Sequence, residues 1–295
     1  MKPLLSLLLM LCALQVSASP AVSPPAAEPA ALQTPVTVQV EGRDVKLVPP
    51  EGSCAYDRRQ SVADGNVLDL LAKGMEGTNQ LLMGFADCKD LATARAGHKY
   101  NPTYYGQVLF PLSAKDSMEL GRPQFATHMA DAYQQNMSSV EDGLRDASQR
   151  LRTLLNDRLQ INGSKVLGVV HDNPDMVQLS VMQSVQTADR AIIIIGVTTT
   201  TKAGVPISIN LYHPTTGADS EAVLRDLSQR GAAYARQLIA LNPETAPVHP
   251  DNALPHADER AQGTGYAVLT GALLGAFVVI TMGAIFMLIQ KRRRA

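Results

Sequence analysis

The chain predicts an α+β fold, an α/β/α sandwich with a mainly antiparallel sheet, and three observations carry that reading. Four β-rich segments, "KVLGVVH", "MVQLSVMQSVQ", "RAIIIIGVTTTT" and "VPISINLYH", follow one another with only "DNPD", "TAD" and "KAG" between them. Short polar turns of this kind join antiparallel neighbours. The run Ile192 to Ile195 lacks alternation, as expected of a central strand covered on both faces. Helical patterns stand before and after this block, so helices can cover both faces of the sheet.

Taken in order, "VTVQVEGRDVKLVPP" alternates apolar and polar residues around "EGRD", a hairpin of Val36 to Val40 and Val45 to Val48. "SVAD", Ser61 to Asp64, resembles a capping box with Asp in place of Glu. Behind it Leu68, Leu71, Met75, Thr78 and Leu82 recur at helical spacing. Gly74 and Gly77 weaken that helix and leave room for a strand over Gln80 to Ala86. "TYYGQVLFPL" is a strand closed by Pro111.

Pro123 opens a helix, and from Phe125 the apolar positions Met129, Tyr133, Met137, Val140, Leu144, Ala147, Leu151 and Leu154 alternate steps of four and three. That is one long helix on the sheet, with a bend at the second capping box "SSVE" (Ser138 to Glu141) and Gly143. After the four strands, Val223, Leu227, Ala233 or Tyr234, and Leu238 share one face of a last helix ending at Asn242-Pro243. The resulting order is β-β-α-β-α-β-β-β-β-α.

The ends of the chain carry an address. "MKPLLSLLLMLCALQVSASP" has one base, an apolar run from Leu4 to Leu14 and small residues before Ser19, so residues 1–18 read as a cleaved signal peptide. Leu11 before Cys12 excludes a lipoprotein. Residues 19–35, rich in Pro and Ala, form a linker, and 36–242 form one exported domain. Residues 243–265 are a Pro-rich stalk. Tyr266 to Ile289 then run 24 residues without a charge. A helix of that length measures roughly 36 Å, against a hydrocarbon core of about 30 Å, and spans the bilayer. The basic tail 290–295, with Lys291 to Arg294, holds that end in the cytoplasm. These signals predict a single-pass protein of the bacterial inner membrane with its domain in the periplasm. A rival reading is a surface-sorted protein whose span is processed away, but "LPHAD" (Leu254 to Asp258) lacks the Thr and Gly of a sortase signal.

Lys2 and the tail take five of the 26 bases, leaving 21 against 27 acids, a net charge of −6 on the exported body. An acidic body offers nothing to a phosphate backbone, so nucleic acid is excluded as a partner. Signal cleavage leaves only Cys54 and Cys88, an even pair in an oxidising compartment, and the pair reads as a disulfide. Thirty-three residues lie between them, and closing that loop stabilises the fold by about 4 kcal/mol in the chain-entropy view.

The "LVPPEGSC" segment after the first hairpin, the closing strand "GVPISINLY" before a final helix, and the element order resemble the PsbP-like and DcrB-like sandwich families over most of residues 36–242. That resemblance implies a non-catalytic accessory or binding protein, often exported. It transfers no functional residue, and the membrane span departs from the compact members.

No G-x-S-x-G, H-E-x-x-H, P-loop or dinucleotide fingerprint occurs, and no cofactor is expected. His171 and Asp172 end one strand and His213 ends another, so a metal site or a periplasmic enzyme becomes possible only where those ends meet. The stalk residues His249, Asp251, His256 and Asp258 sit in a segment that cannot pre-organise ligands, and "TTTT" (Thr198 to Thr201) is β-strand chemistry. Within the span, Ala267, Gly271 and Gly275 form a small-residue stripe suited to helix–helix contact and a homodimer. The expected role is a membrane-anchored, non-enzymatic binding or accessory protein with the bilayer and an envelope protein as partners.

Overall fold

The structure, a computed structural model, describes residues 34–98, 102–154, 159–187 and 191–244. The signal peptide, most of the linker and stalk, the span with Ala267, Gly271 and Gly275, and the tail lie outside the described residues. Among the described residues no helix is long and apolar enough to cross a membrane.

Mixed helix and sheet with antiparallel pairing throughout defines an α+β fold. The hairpin stands apart as a two-stranded sheet of β1 (Val36–Val40) and β2 (Arg43–Leu47). Glu41 and Gly42 both take positive φ at its turn, the mirror-type geometry that matches strand twist. A seven-stranded sheet follows, built from β3 (Ser53–Ala55), β4 (Asn79–Asp87), β5 (Tyr105–Pro111), β6 (Leu159–Asn173), β7 (Met176–Thr187), β8 (Ala191–Ala203) and β9 (Val205–Thr215). Its spatial order is β3-β4-β5-β9-β8-β7-β6, and every neighbouring pair is antiparallel.

Among the described residues five α-helices, α1 (Val62–Gly74), α2 (Cys88–Arg95), α3 (Arg122–Gln135), α4 (Met137–Leu154) and α5 (Ser220–Leu241), and a 3-10 helix over Leu112–Ser117 complete the body. Alternate residues of the strands feed two hydrophobic clusters. One joins Tyr105, Leu109, Val177, Leu179 and Tyr212 to Leu71, Phe125, Met129, Tyr133 and Leu144 of α1, α3 and α4. The other joins Val108, Phe110, Ile195, Val197, Ile207, Ile209 and Leu211 to Leu227, Tyr234 and Leu238 of α5 and Val40, Val45 and Leu47 of the hairpin. Ile194 lies in the first cluster and Ile195 in the second, as the unbroken isoleucine run requires.

Several expectations are corrected. The strand over Gln80 to Ala86 is real and is β4, so β4 and β5 stand where the expected order holds one strand. β3 and α2 are additional; α2 is short, and only Leu91 and Ala94 on it are buried, too few for a periodic signal. The long middle helix divides at Asn136 rather than bending at Ser138 to Gly143. The Asn136 side chain donates to the Ala132 carbonyl at 3.0 Å, its backbone leaves helical geometry, and its own carbonyl accepts from Val140 N at 3.0 Å. On α5 it is Tyr234, not Ala233, that faces the core.

Candidate functional site

The strand ends near β3 converge on a cleft, and its construction starts with the cysteines. Cys54 on β3 and Cys88 at the first position of α2 are bonded, with Cα atoms 4.9 Å apart. β3 pairs with the last residues of β4, so the bond ties the short edge strand to the helix that follows its neighbour. Asp87 caps α2 by accepting from Lys89 N at 2.8 Å and Asp90 N at 3.2 Å. Asp90 in turn accepts from Thr103 N and Oγ1 at 2.7 and 2.8 Å.

Asp64 does not behave as the expected capping-box acid. Ser61 Oγ accepts from Asp64 N at 3.0 Å, but the Asp64 carboxylate turns inward, buried at 1% exposure. It takes Asp57 N at 2.9 Å, the Ser61 hydroxyl at 2.7 Å and the Arg95 guanidinium at 2.5 Å. Arg95 also donates to the Ala55 carbonyl at 3.1 Å, so one carboxylate ties the start of α1 to the end of α2 and to β3.

Above this frame lies an open cleft of about 160 Å³ lined by Glu51, Ser53, Asp87, Tyr104, His213, Asp226 and Arg230. Arg230 donates Nε–H to Asp226 at 2.7 Å and sits 5.3 Å from the Tyr104 ring centroid, a cation–π contact. Phe85 supports Tyr104 from below the cleft, centroids 6.3 Å apart, and meets Tyr234 edge-on at 5.8 Å. Tyr104 is only 7% exposed, and its hydroxyl has no partner among the described residues. Burial pushes that hydroxyl well above the usual phenol value, with Arg230 pulling it down and Asp226 pushing it up. His213 Nδ1 donates to the Pro214 carbonyl at 2.5 Å.

The lining therefore holds three carboxylates against one guanidinium that is already paired. A drug-sized ligand needs roughly 300 Å³ or more. This cleft is smaller, and acid and phenol oxygens line it.

His171 and His213, which could share a metal only if their strand ends met, do not meet. His213 on β9 is level with Ile195, which is level with Met182 and then Lys165, six positions before His171 on β6. Three strand spacings, roughly 14 Å, and, since β6 is bulged between them, about 16 Å along the strand separate them. Asp172 lies beside His171 at that distant corner. Among the described residues no group of three His, Cys, Asp or Glu side chains is placed to hold a metal ion. "TTTT" is spent inside the sheet: Thr198 donates to Asn210 Oδ1 at 2.7 Å, Thr200 bonds Tyr133 at 3.0 Å, and Thr201 donates to the Asp175 carbonyl at 2.6 Å. The stalk residues His249, Asp251, His256 and Asp258 lie outside the described residues.

No family model matches the chain, and no curated protein or solved structure matches it.

Proposed function

We propose that the protein is a single-pass component of the bacterial inner membrane whose exported body, an α/β/α sandwich of the PsbP-like or DcrB-like kind, is a non-enzymatic binding or accessory module. Its acidic cleft receives a lysine or arginine side chain from an envelope protein. The observation that carries this reading is the bonded Cys54–Cys88 pair framing the cleft, since such staples belong to oxidising compartments. A net charge of −6 on the exported body adds attraction for a basic partner. In this reading residues 266–289 anchor the body and 290–295 remain cytoplasmic. No specific observation favours the enzyme or metal reading of His171, Asp172 and His213, whose strand positions stand far apart.

The test places a photo-crosslinking residue at Thr103, beside the cleft, in the full chain in its own membrane, with Lys73 on the exposed side of α1 as the control. A discrete protein adduct at Thr103 that is lost on Asp226→Lys supports the reading. Equal adducts at both positions, or none at Thr103, would overturn it.

A further inference from the structure

The chain contains one Asn-Gly pair, Asn162-Gly163, and the fold sets it at an exposed irregularity of the edge strand β6. Ile161 stands opposite Val185 and Gly163 opposite Ser184, so Asn162 is the extra residue of a bulge, with no partner position on β7. Asn162 and Gly163 are both exposed. A Cβ built on Gly163 would meet nothing within 4 Å, so the space beside the peptide bond between them is open. Other pairs of related chemistry are placed differently. Asp64-Gly65 and Asp142-Gly143 lie inside α1 and α4, and Gly65 N is engaged by the Ser61 carbonyl at 3.2 Å. Asn101, Asn173 and Asn242 precede proline, which has no backbone N–H.

We propose that Asn162 is a site of spontaneous deamidation, with water as the co-reactant. Solvent base takes the proton of the Gly163 backbone nitrogen, which attacks Cγ of Asn162. The new N–Cγ bond forms as the Cγ–Nδ2 bond breaks, and ammonia leaves with a proton from water. Water then adds to one of the two carbonyls of the five-membered imide and opens it to aspartate or isoaspartate. One water enters and one ammonia leaves for each Asn162 converted, and the chain gains one negative charge. Glycine favours the step because no side chain shields its nitrogen and its backbone turns freely. A regular ladder would hold both residues extended, and the bulge lifts that restraint at Asn162. Isoaspartate routes the chain through the side chain and lengthens it by one methylene, which a strand with a surplus residue at that point accommodates. Asn162 also lines an open groove of about 360 Å³ between α4 and β6, so the new carboxylate joins Glu141 and Arg145 there and shifts the lining toward acid.

The test incubates the full chain in detergent micelles at mildly alkaline pH and follows the tryptic peptide Leu159–Lys165 by mass and by retention, which separates isoaspartate from aspartate. The same chain unfolded in guanidinium chloride is the reference. The bulge predicts that folded chain converts Asn162 within tenfold of the unfolded rate, giving both products. Gly163→Ala should slow conversion at least tenfold in the folded chain. The same variant is measured unfolded, where it should also be slower than wild type, so a folding defect does not decide the outcome. A folded chain more than tenfold slower than the unfolded one, or a Gly163→Ala chain that converts as fast as wild type, would overturn the proposal.

Discussion

At one edge of the seven-stranded sheet β3 supplies three residues, and at the other β6 supplies fifteen. The short edge is closed by the Cys54–Cys88 bond and by Arg95, which pairs with buried Asp64 and donates to the Ala55 carbonyl of β3, while the Asp87 cap and the Asp90–Thr103 bonds fix α2 beside it. The long edge has none of these. It is bulged at three places and leaves Leu167 and Val170 in the open. The difference shows two ways to handle unpaired backbone. A three-residue strand cannot hold its place by its own ladder, so it is stapled, and the staple fixes a cleft beside it. A fifteen-residue strand is secured by β7 and can keep its outer rim available.

If that contrast is real, damage should stay local to each edge. Replacing both Cys54 and Cys88 by Ser should have the largest effect, lowering stability by about 4 kcal/mol in urea titration. Hydrogen exchange should then quicken in β3 and α2 before β6 and β7; uniform quickening would mean the staple serves the whole fold and not one edge. Asp64→Ala comes next, at about 3 kcal/mol, because it leaves Arg95 and the Asp57 N–H without their buried acceptor. A loss under 1 kcal/mol would remove this carboxylate from the account of the closed edge.

Two tyrosines sharpen the comparison with changes of opposite sign. Tyr133→Phe gives up the buried bond to Thr200 at 3.0 Å and should cost about 1 kcal/mol. Tyr104→Phe removes a buried hydroxyl that has no partner among the described residues and should raise stability by up to about 1 kcal/mol. Because that hydroxyl belongs to the cleft, the same variant should weaken the Thr103 crosslink. A destabilised Tyr104→Phe would show that the hydroxyl serves the fold.

The smallest effect concerns neither edge. Burial holds His128 on α3 below its usual 6.5, against the opposing pull of Asp131. The unfolded chain takes up that proton first, so this histidine's contribution is present above its unfolded value and is lost as pH falls from about 6.5 toward the lower folded value. Between about pH 7.5 and pH 5.5 the wild type should lose slightly more stability than His128→Gln. Identical pH dependence in the two would refute the assignment.

Much of this architecture was legible in the residues. Short turns between the last four β segments announced antiparallel neighbours, the isoleucine run a strand covered on both sides, and the parity of cysteines a bond. Local rules failed where one residue outvoted a pattern, as at Asn136, where a side chain-to-carbonyl bond ended a helix whose apolar spacing ran straight on. They failed too where an element was too short for periodicity, as with β3 and α2. The cleft had no local signal at all. Glu51, Asp87, Tyr104, His213 and Arg230 come from separate segments that only the β3-β4-β5-β9 order brings to one end of the sheet. His171 and His213 illustrate the converse: both end strands, yet the order places β8 and β7 between them.

The central claim is an exported body whose closed edge is stapled outside the cytoplasmic membrane, and counting thiols on intact spheroplasts tests it most directly. A membrane-impermeant maleimide should label no cysteine of the mature chain before reduction. After treatment with an impermeant phosphine it should label two, Cys54 and Cys88, with the membrane still sealed. Labelling without the reductant would contradict the bond, and thiols that react only after the membrane is permeabilised would place the body on the other side.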